Sequence, residues 1–239
     1  MQTAVKLDII PTNPADKIER PKKEQFIGDR YTLDELKVLF EVSKNDPLHL
    51  VILIASFYGL RRSEVLGLKW SAFDFVNNTI TIKHKVIETI VDDKRTILLK
   101  DKTKNKSSYR SLPLIKEIKE ELLAHKKKLE NNKKICGDSY ILDFKDYICV
   151  NDIGKIYRPE YITDHFALLL NNNNLRHIRF HDLRHSCASL LLARGIPMKA
   201  IQEWLGHSTY STTANLYAHL DSNTKNISAD ALANALVVA

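Results

Sequence analysis

Residues 47–67 read PLHLVILIASFYGLRRSEVLG, and this stretch decides the architecture. From Leu48 to Tyr58 the chain is apolar almost without interruption. A helix with no polar face to offer to water belongs at the centre of a core. The longest apolar run, Leu50 to Leu60, is too short to cross a bilayer, and Ser56 and Gly59 break it. Gly59 ends the helix, and a short second one starts near Arg61 and stops at Gly67.

Upstream, Thr32 with Glu35 three residues later forms a capping box, and Leu33, Leu36, Leu39 and Phe40 make an apolar stripe at helical spacing. Before it, Pro11, Pro14 and Pro21 break regular structure, while Ala4, Val5, Leu7 and Ile9 read as the tail of a helix. Residues 1–25 are therefore expected to be a linker with the remnant of an upstream domain, and residues 26–239 a domain with a C-terminal helix. Downstream lies the one convincing β region: residues 79–82 alternate after an Asn77-Asn78 turn, then come residues 96–99 and 109–114. Helices resume near 115–130, 162–170, 181–194, 197–204, 211–219 and 226–238, with a stray strand at 147–150. The expected fold is mixed α/β (α+β), mainly α-helical with a small three-stranded antiparallel sheet.

The chain has 239 residues, 44% of them hydrophobic and 27% charged, a globular composition able to bury a core. Its formal net charge of +7 favours partners rich in phosphate, either nucleic acid or an anionic membrane. Cys136, Cys149 and Cys187 are odd in number and form no CxxC pair. That argues against a disulfide framework or a structural zinc site and for a reducing compartment. No charged-then-apolar signal opens the chain, so the expected location is the cytoplasm, with no membrane partner.

Short polar pieces interrupt this frame. Gly59-Leu60-Arg61-Arg62-Ser63-Glu64 puts Arg61 on a rigid corner beside backbone N–H groups that favour an anion, unless it is only a helix-terminal arginine paired with Glu64. Lys100, Lys102, Lys104 and Lys106 occupy alternate positions, so in an extended hairpin they share one side. Such a finger can follow a DNA backbone or simply protect an edge. In His181-Asp182-Leu183-Arg184-His185 the imidazoles and the guanidinium project from one helix face, as groups that donate to phosphoryl oxygens would. Leu205-Gly206-His207 ends a helix with another imidazole, and Leu216-Tyr217-Ala218-His219 follows on a helix opened by Ser211-Thr212-Thr213.

Taken in order, Arg, hairpin Lys, His-x-x-Arg-His, Leu-Gly-His and Tyr resemble the tyrosine recombinase or phage integrase family over roughly residues 26–220. The resemblance implies that Arg61, Lys104, His181, Arg184 and His207 surround a scissile DNA phosphate and that Tyr217 is the nucleophile. Glu64 and His185 match the family's supporting residues. Lys104 is chosen because a Thr-Lys pair shortly before Arg110 to Pro113 marks the family's lysine; Lys102 and Lys106 remain alternatives. The resemblance also implies an upstream core-binding domain, double-stranded DNA as partner, a homotetramer on paired sites, a monomer without DNA, and service to a mobile element. Neither a cofactor nor a metal is expected: there is no Gly-rich Walker loop and no cluster of carboxylates. Ile227, Ala231, Leu232, Ala235, Leu236 and Val238 form a stripe that either docks on a neighbour or folds back on its own domain.

Rival readings share these residues. His181 and His185 have the spacing of a zinc-binding HExxH site, although Arg184 would place a positive charge beside the cation. A non-catalytic DNA-binding protein on the same scaffold, or a type IB topoisomerase, would keep the basic groups.

Overall fold

The computed structural model describes residues 1–19, 29–100 and 109–207. Its α-helices are α1 (Gln2–Lys6), α2 (Leu33–Ser43), α3 (His49–Tyr58), α4 (Arg62–Leu66), α5 (Lys116–Cys136), α6 (Pro159–Asn172), α7 (Asp182–Ala193) and α8 (Met198–Leu205). The strands are β1 (Phe73–Asp74), β2 (Thr79–Ile82), β3 (Lys85–Val91), β4 (Lys94–Lys100) and β5 (Arg110–Pro113). Mainly helical with a small antiparallel sheet, this is the α+β architecture expected from the pattern.

Helix α3 is the hub. Leu50, Val51, Ile52, Leu53, Ile54, Ala55, Ser56 and Tyr58 are all buried, and α2, α4, α5 and α7 pack around them. Burying each Leu or Ile of this kind contributes about 1.5–3 kcal/mol. Helix α2 starts at its capping box: the Thr32 N–H donates to Glu35 Oε2 at 2.7 Å and the Glu35 N–H to Thr32 Oγ1 at 3.3 Å. Leu36 and Leu39 turn inward and Phe40 stacks on Phe57, whereas Leu33 faces solvent at the first turn. Helix α5 runs past residue 130 to Cys136, because nothing breaks it before Gly137, whose φ of 51° does.

The β region differs from expectation in its membership. The three-stranded sheet is ordered β1-β2-β5, and residues 96–99 are not in it. They lie in β4, which pairs with β3 over seven positions from Lys85↔Lys100 to Val91↔Lys94 as a separate hairpin. Asp92 and Asp93 both take positive φ, 49° and 57°, as a two-residue turn matched to strand twist requires. Aspartate tolerates this conformation less readily than glycine or asparagine, so the turn is easily missed in the sequence. Arg95 pairs with Glu160, and Arg158 with Glu88, fastening the hairpin to α6. The strand expected at 147–150 is reduced to single bridges, Lys69↔Tyr147 and Val150↔Ile156. The helices expected near 211–219 and 226–238 lie outside the described residues.

A second, smaller apolar cluster of Cys187, Ala188, Ile201 and Leu205 docks α8 onto α7. This contact brings the end of α8 back over the Arg61 corner.

Candidate active site

Gly59 builds the corner. It caps α3 in the left-handed region at φ 58°, and a Cβ there would meet Leu205 Cδ2 at 2.3 Å. Only glycine combines that backbone with that approach. Its carbonyl accepts a hydrogen bond from Arg184 Nη1 on α7, so the turn that aims Arg61 also anchors the second arginine.

Glu64 is the node of the site. It is fully buried, and its Oε1 accepts from Arg61 Nη1 at 2.8 Å. Its Oε2 accepts from the Arg61 N–H at 3.1 Å and from Arg110 Nη2 at 3.3 Å. Burial alone would raise this carboxyl, but Arg110, Arg61 and Arg184 together hold it below its ordinary value. The Glu64 and Val65 amides bond to the Arg61 carbonyl, so the start of α4 spends these N–H groups internally. The Arg61 guanidinium faces solvent at the corner with 34% of its side chain exposed.

Arg184 lies beneath it, 2% exposed. Besides Gly59 O, it reaches His207 Nε2 through Nε at 3.3 Å, while its Nη2 is buried with no hydrogen-bond partner among the described residues. Burial first, then Arg61, pull its pKa down to about 9, so it remains a cation at neutral pH. Gly206 caps α8 at φ 69° and turns the chain so that His207 meets Arg184; its carbonyl also accepts from Arg61 Nη2 at 3.3 Å. Since Arg184 Nε donates to Nε2, the neutral His207 ring carries its proton on Nδ1. Among the described residues three guanidiniums, of Arg61, Arg110 and Arg184, thus surround one carboxylate, a surplus of positive charge in a largely buried setting.

His181 and His185 stand on α7 with rings 5.3 Å apart and perpendicular. His181 opens at its edge into a cavity of about 410 Å³ that it shares with Arg61, Arg62, Ser63, Thr163, Arg179 and Phe180. Asp182 takes both Arg179 Nε and Nη2, at 3.1 and 2.7 Å, and lies 3.8 Å from His185 Nε2. Ring desolvation, then His185 and Arg184, lower His181 to about 4; desolvation likewise lowers His185.

Of the residues expected from sequence, the structure hydrogen-bonds Arg61 to Glu64 and Arg184 to His207, joins the two pairs through the Gly206 and Gly59 carbonyls, and sets His181 and His185 on the helix that carries Arg184. Lys104, with its alternatives Lys102 and Lys106, and Tyr217 lie outside the described residues. Arg110 was not among the candidates, yet it touches the node. Its signal is its place on the strand: residues 110, 112 and 114 share the inward face, and a charge there demands a partner.

His207 gives a stability prediction. Burial, then Arg184 and Arg61, lower its pKa to about 3, against about 6.5 for an unfolded histidine. As pH falls below about 6.5 the unfolded chain takes up a proton that the folded chain refuses, so stability drops. Between pH 7 and 5 this one ring costs on the order of 2 kcal/mol. Urea midpoints for wild type and His207→Gln at both pH values check it: the wild type loses more on acidification, and parallel losses refute the assignment.

Residues 29–224 match the model of the phage integrase family. The chain belongs to this family. A tyrosine recombinase XerC-like protein of Caldanaerobacter subterraneus subsp. tengcongensis is 32% identical to this integrase-family chain over 219 residues, 89% of the chain and 54% of that protein. The ICEBs1 integrase of Bacillus subtilis is 30% identical over 248 residues, 96% of the chain and 61% of that protein. The chain therefore spans a little over half the length of these curated relatives. Among solved structures, the Tn1549 transposon integrase in complex with a circular intermediate DNA matches with a TM-score of 0.69 at 22% identity, covering 95% of this chain and 74% of that one. XerA recombinase matches with a TM-score of 0.63 at 20% identity, covering 87% and 66%. These likenesses establish the integrase fold.

Proposed function

We propose that this chain is the catalytic part of a site-specific tyrosine recombinase that cuts and rejoins double-stranded DNA. The observation that carries the reading is the buried surplus of positive charge around Glu64, with Arg184 Nη2 lacking an acceptor among the described residues. A buried charged donor without an acceptor is costly, and an anionic phosphoryl oxygen would satisfy it. Arg61 and Arg184 then offset the charge that grows on the non-bridging oxygens as the phosphate is attacked. His207 holds Arg184 through its Nε2, and neutral His181 can accept the phenolic proton.

In this scheme the Tyr217 oxygen bonds to phosphorus and the P–O5′ bond breaks, leaving a 3′-phosphotyrosine. Lys104 supplies the proton that the leaving 5′-oxygen takes up. A 5′-hydroxyl from another strand reverses the step, so the phosphodiester energy is retained and no cofactor or metal is required. Glu64 and His185 orient their neighbours. Residues 26–239 form the catalytic unit and residues 1–25 lead into it from a core-binding domain. The mobile element's DNA is held by four protomers on paired sites, each a monomer before DNA binds, and the reaction takes place in the cytoplasm.

The test is covalent trapping. The chain is incubated with nicked duplexes of randomised sequence, and adducts surviving denaturation are digested for mass spectrometry and sequencing. A peptide carrying a nucleotide on Tyr217 is expected. DNA binding without an adduct would make the chain a binding protein; an adduct on another residue would remove the mechanism.

A further inference from the structure

Arg110 is a cation on the inward face of a strand otherwise lined by apolar side chains, 8% exposed and register-locked against Ile82 of β2. Its Nε donates to Trp204 O in the last turn of α8 at 2.8 Å, and its Nη2 to Glu64 Oε2 at 3.3 Å. It thereby ties β5, the start of α4 and the end of α8 together at one point. Its Nη1 has no acceptor among the described residues, so the pairing is poorly optimised for stability. A buried ion pair of this kind adds little that an apolar pair would not, whereas it does fix directions.

The direction fixed is that of Arg61. Glu64 holds Arg61 on one carboxylate oxygen and Arg110 on the other. The remaining anchor of the Arg61 guanidinium among the described residues is Gly206 O, at 3.3 Å. That carbonyl sits at the α8 end that Arg110 itself grips two residues earlier. Both supports of Arg61 therefore run back to Arg110, and the second also presents His207.

We propose that Arg110 is a positioning residue for strand cleavage, orienting Arg61 through Glu64 and the Arg61–His207 spacing through Trp204 O. The inference rests on the recombinase reading above. Lysine at this position keeps the charge beside Glu64 but cannot serve Glu64 and Trp204 O with the same fixed fork.

The experiment compares wild type and Arg110→Lys on the nicked duplex recovered by trapping, made with either the native scissile phosphodiester or a neutral methylphosphonate. Replacing one non-bridging oxygen by methyl removes the charge that Arg61 offsets, so cleavage of the neutral bond depends little on where Arg61 points. Arg110→Lys is expected to slow adduct formation about 10- to 100-fold on the phosphodiester, the scale of a small misplacement of a catalytic group. On the methylphosphonate its rate stays near that of wild type. An equal loss on both substrates, complete loss included, assigns Arg110 to folding alone and overturns the proposal, as does no loss on either. Wild type that attacks neither substrate removes the recombinase reading, and this inference with it.

Discussion

Tyr217→Phe is expected to bind nicked DNA as wild type does and to form no covalent adduct. The substitution removes one oxygen, which is the atom proposed to bond to phosphorus; the ring and its apolar surface remain. A free phenol has a pKa of about 10 and attacks poorly at neutral pH, so its reactivity depends on the positive surroundings. The groups proposed to supply them are Arg61, which lines the cavity, and Arg184, whose pKa burial lowers only to about 9, so that it stays a cation at neutral pH. Without the nucleophile none of this charge accelerates anything, and the loss is about 10⁴-fold or more, as for other enzymes that lose theirs. Binding is set mainly by phosphate neutralisation, which a phenol does not supply. The salt dependence of binding should therefore match that of wild type, and the denaturing gel should show the adduct band only for wild type. A normal adduct yield from Tyr217→Phe would place the nucleophile elsewhere.

Arg184→Lys is the second large effect. One guanidinium serves Gly59 O through Nη1 and His207 Nε2 through Nε, and its Nη2 has no acceptor among the described residues. A lysine ammonium can occupy one of these places but not the planar fork that spans them. Two consequences follow from different parts of the same change. Leaving Gly59 O or His207 Nε2 unmet in a buried place costs about 1–3 kcal/mol of stability. Losing the preorganised donor for the developing charge costs about 10²–10³-fold in the rate of adduct formation. Single-turnover rates at saturating DNA separate the second from the first, because a destabilised but folded protein retains its rate. A rate within a few-fold of wild type would mean that Arg184 serves the corner and not the phosphate.

The helical frame was legible because it is written in short-range periodicity. An apolar run from Leu48 to Tyr58 permits only a central helix, and Thr32 with Glu35 specifies where α2 begins. The misplaced strand membership has an equally local cause. Residues 96–99 alternate as a strand should, but alternation does not name the partner, and the Asp92-Asp93 turn that does is weakly marked. Site residues were legible by order and chemical type: Arg61, His181, Arg184 and His207 are uncommon company in one chain, and each sits at a helix start, end or capping turn.

From its sequence alone, this chain determines a buried central helix, an α+β class and the family whose polar residues it carries. Tertiary structure alone decides that Glu64 is shared by Arg61 and Arg110, and that Arg184 keeps one donor unspent among the described residues. The bonds responsible join residues 46, 94, 125 and 145 positions apart. Periodicity reports on neighbours a few residues away and on which face they share; it carries no account of which distant faces meet. That is settled only when α8 docks on α7 and β5 presents its one inward charge to a carboxylate that packing has already removed from water.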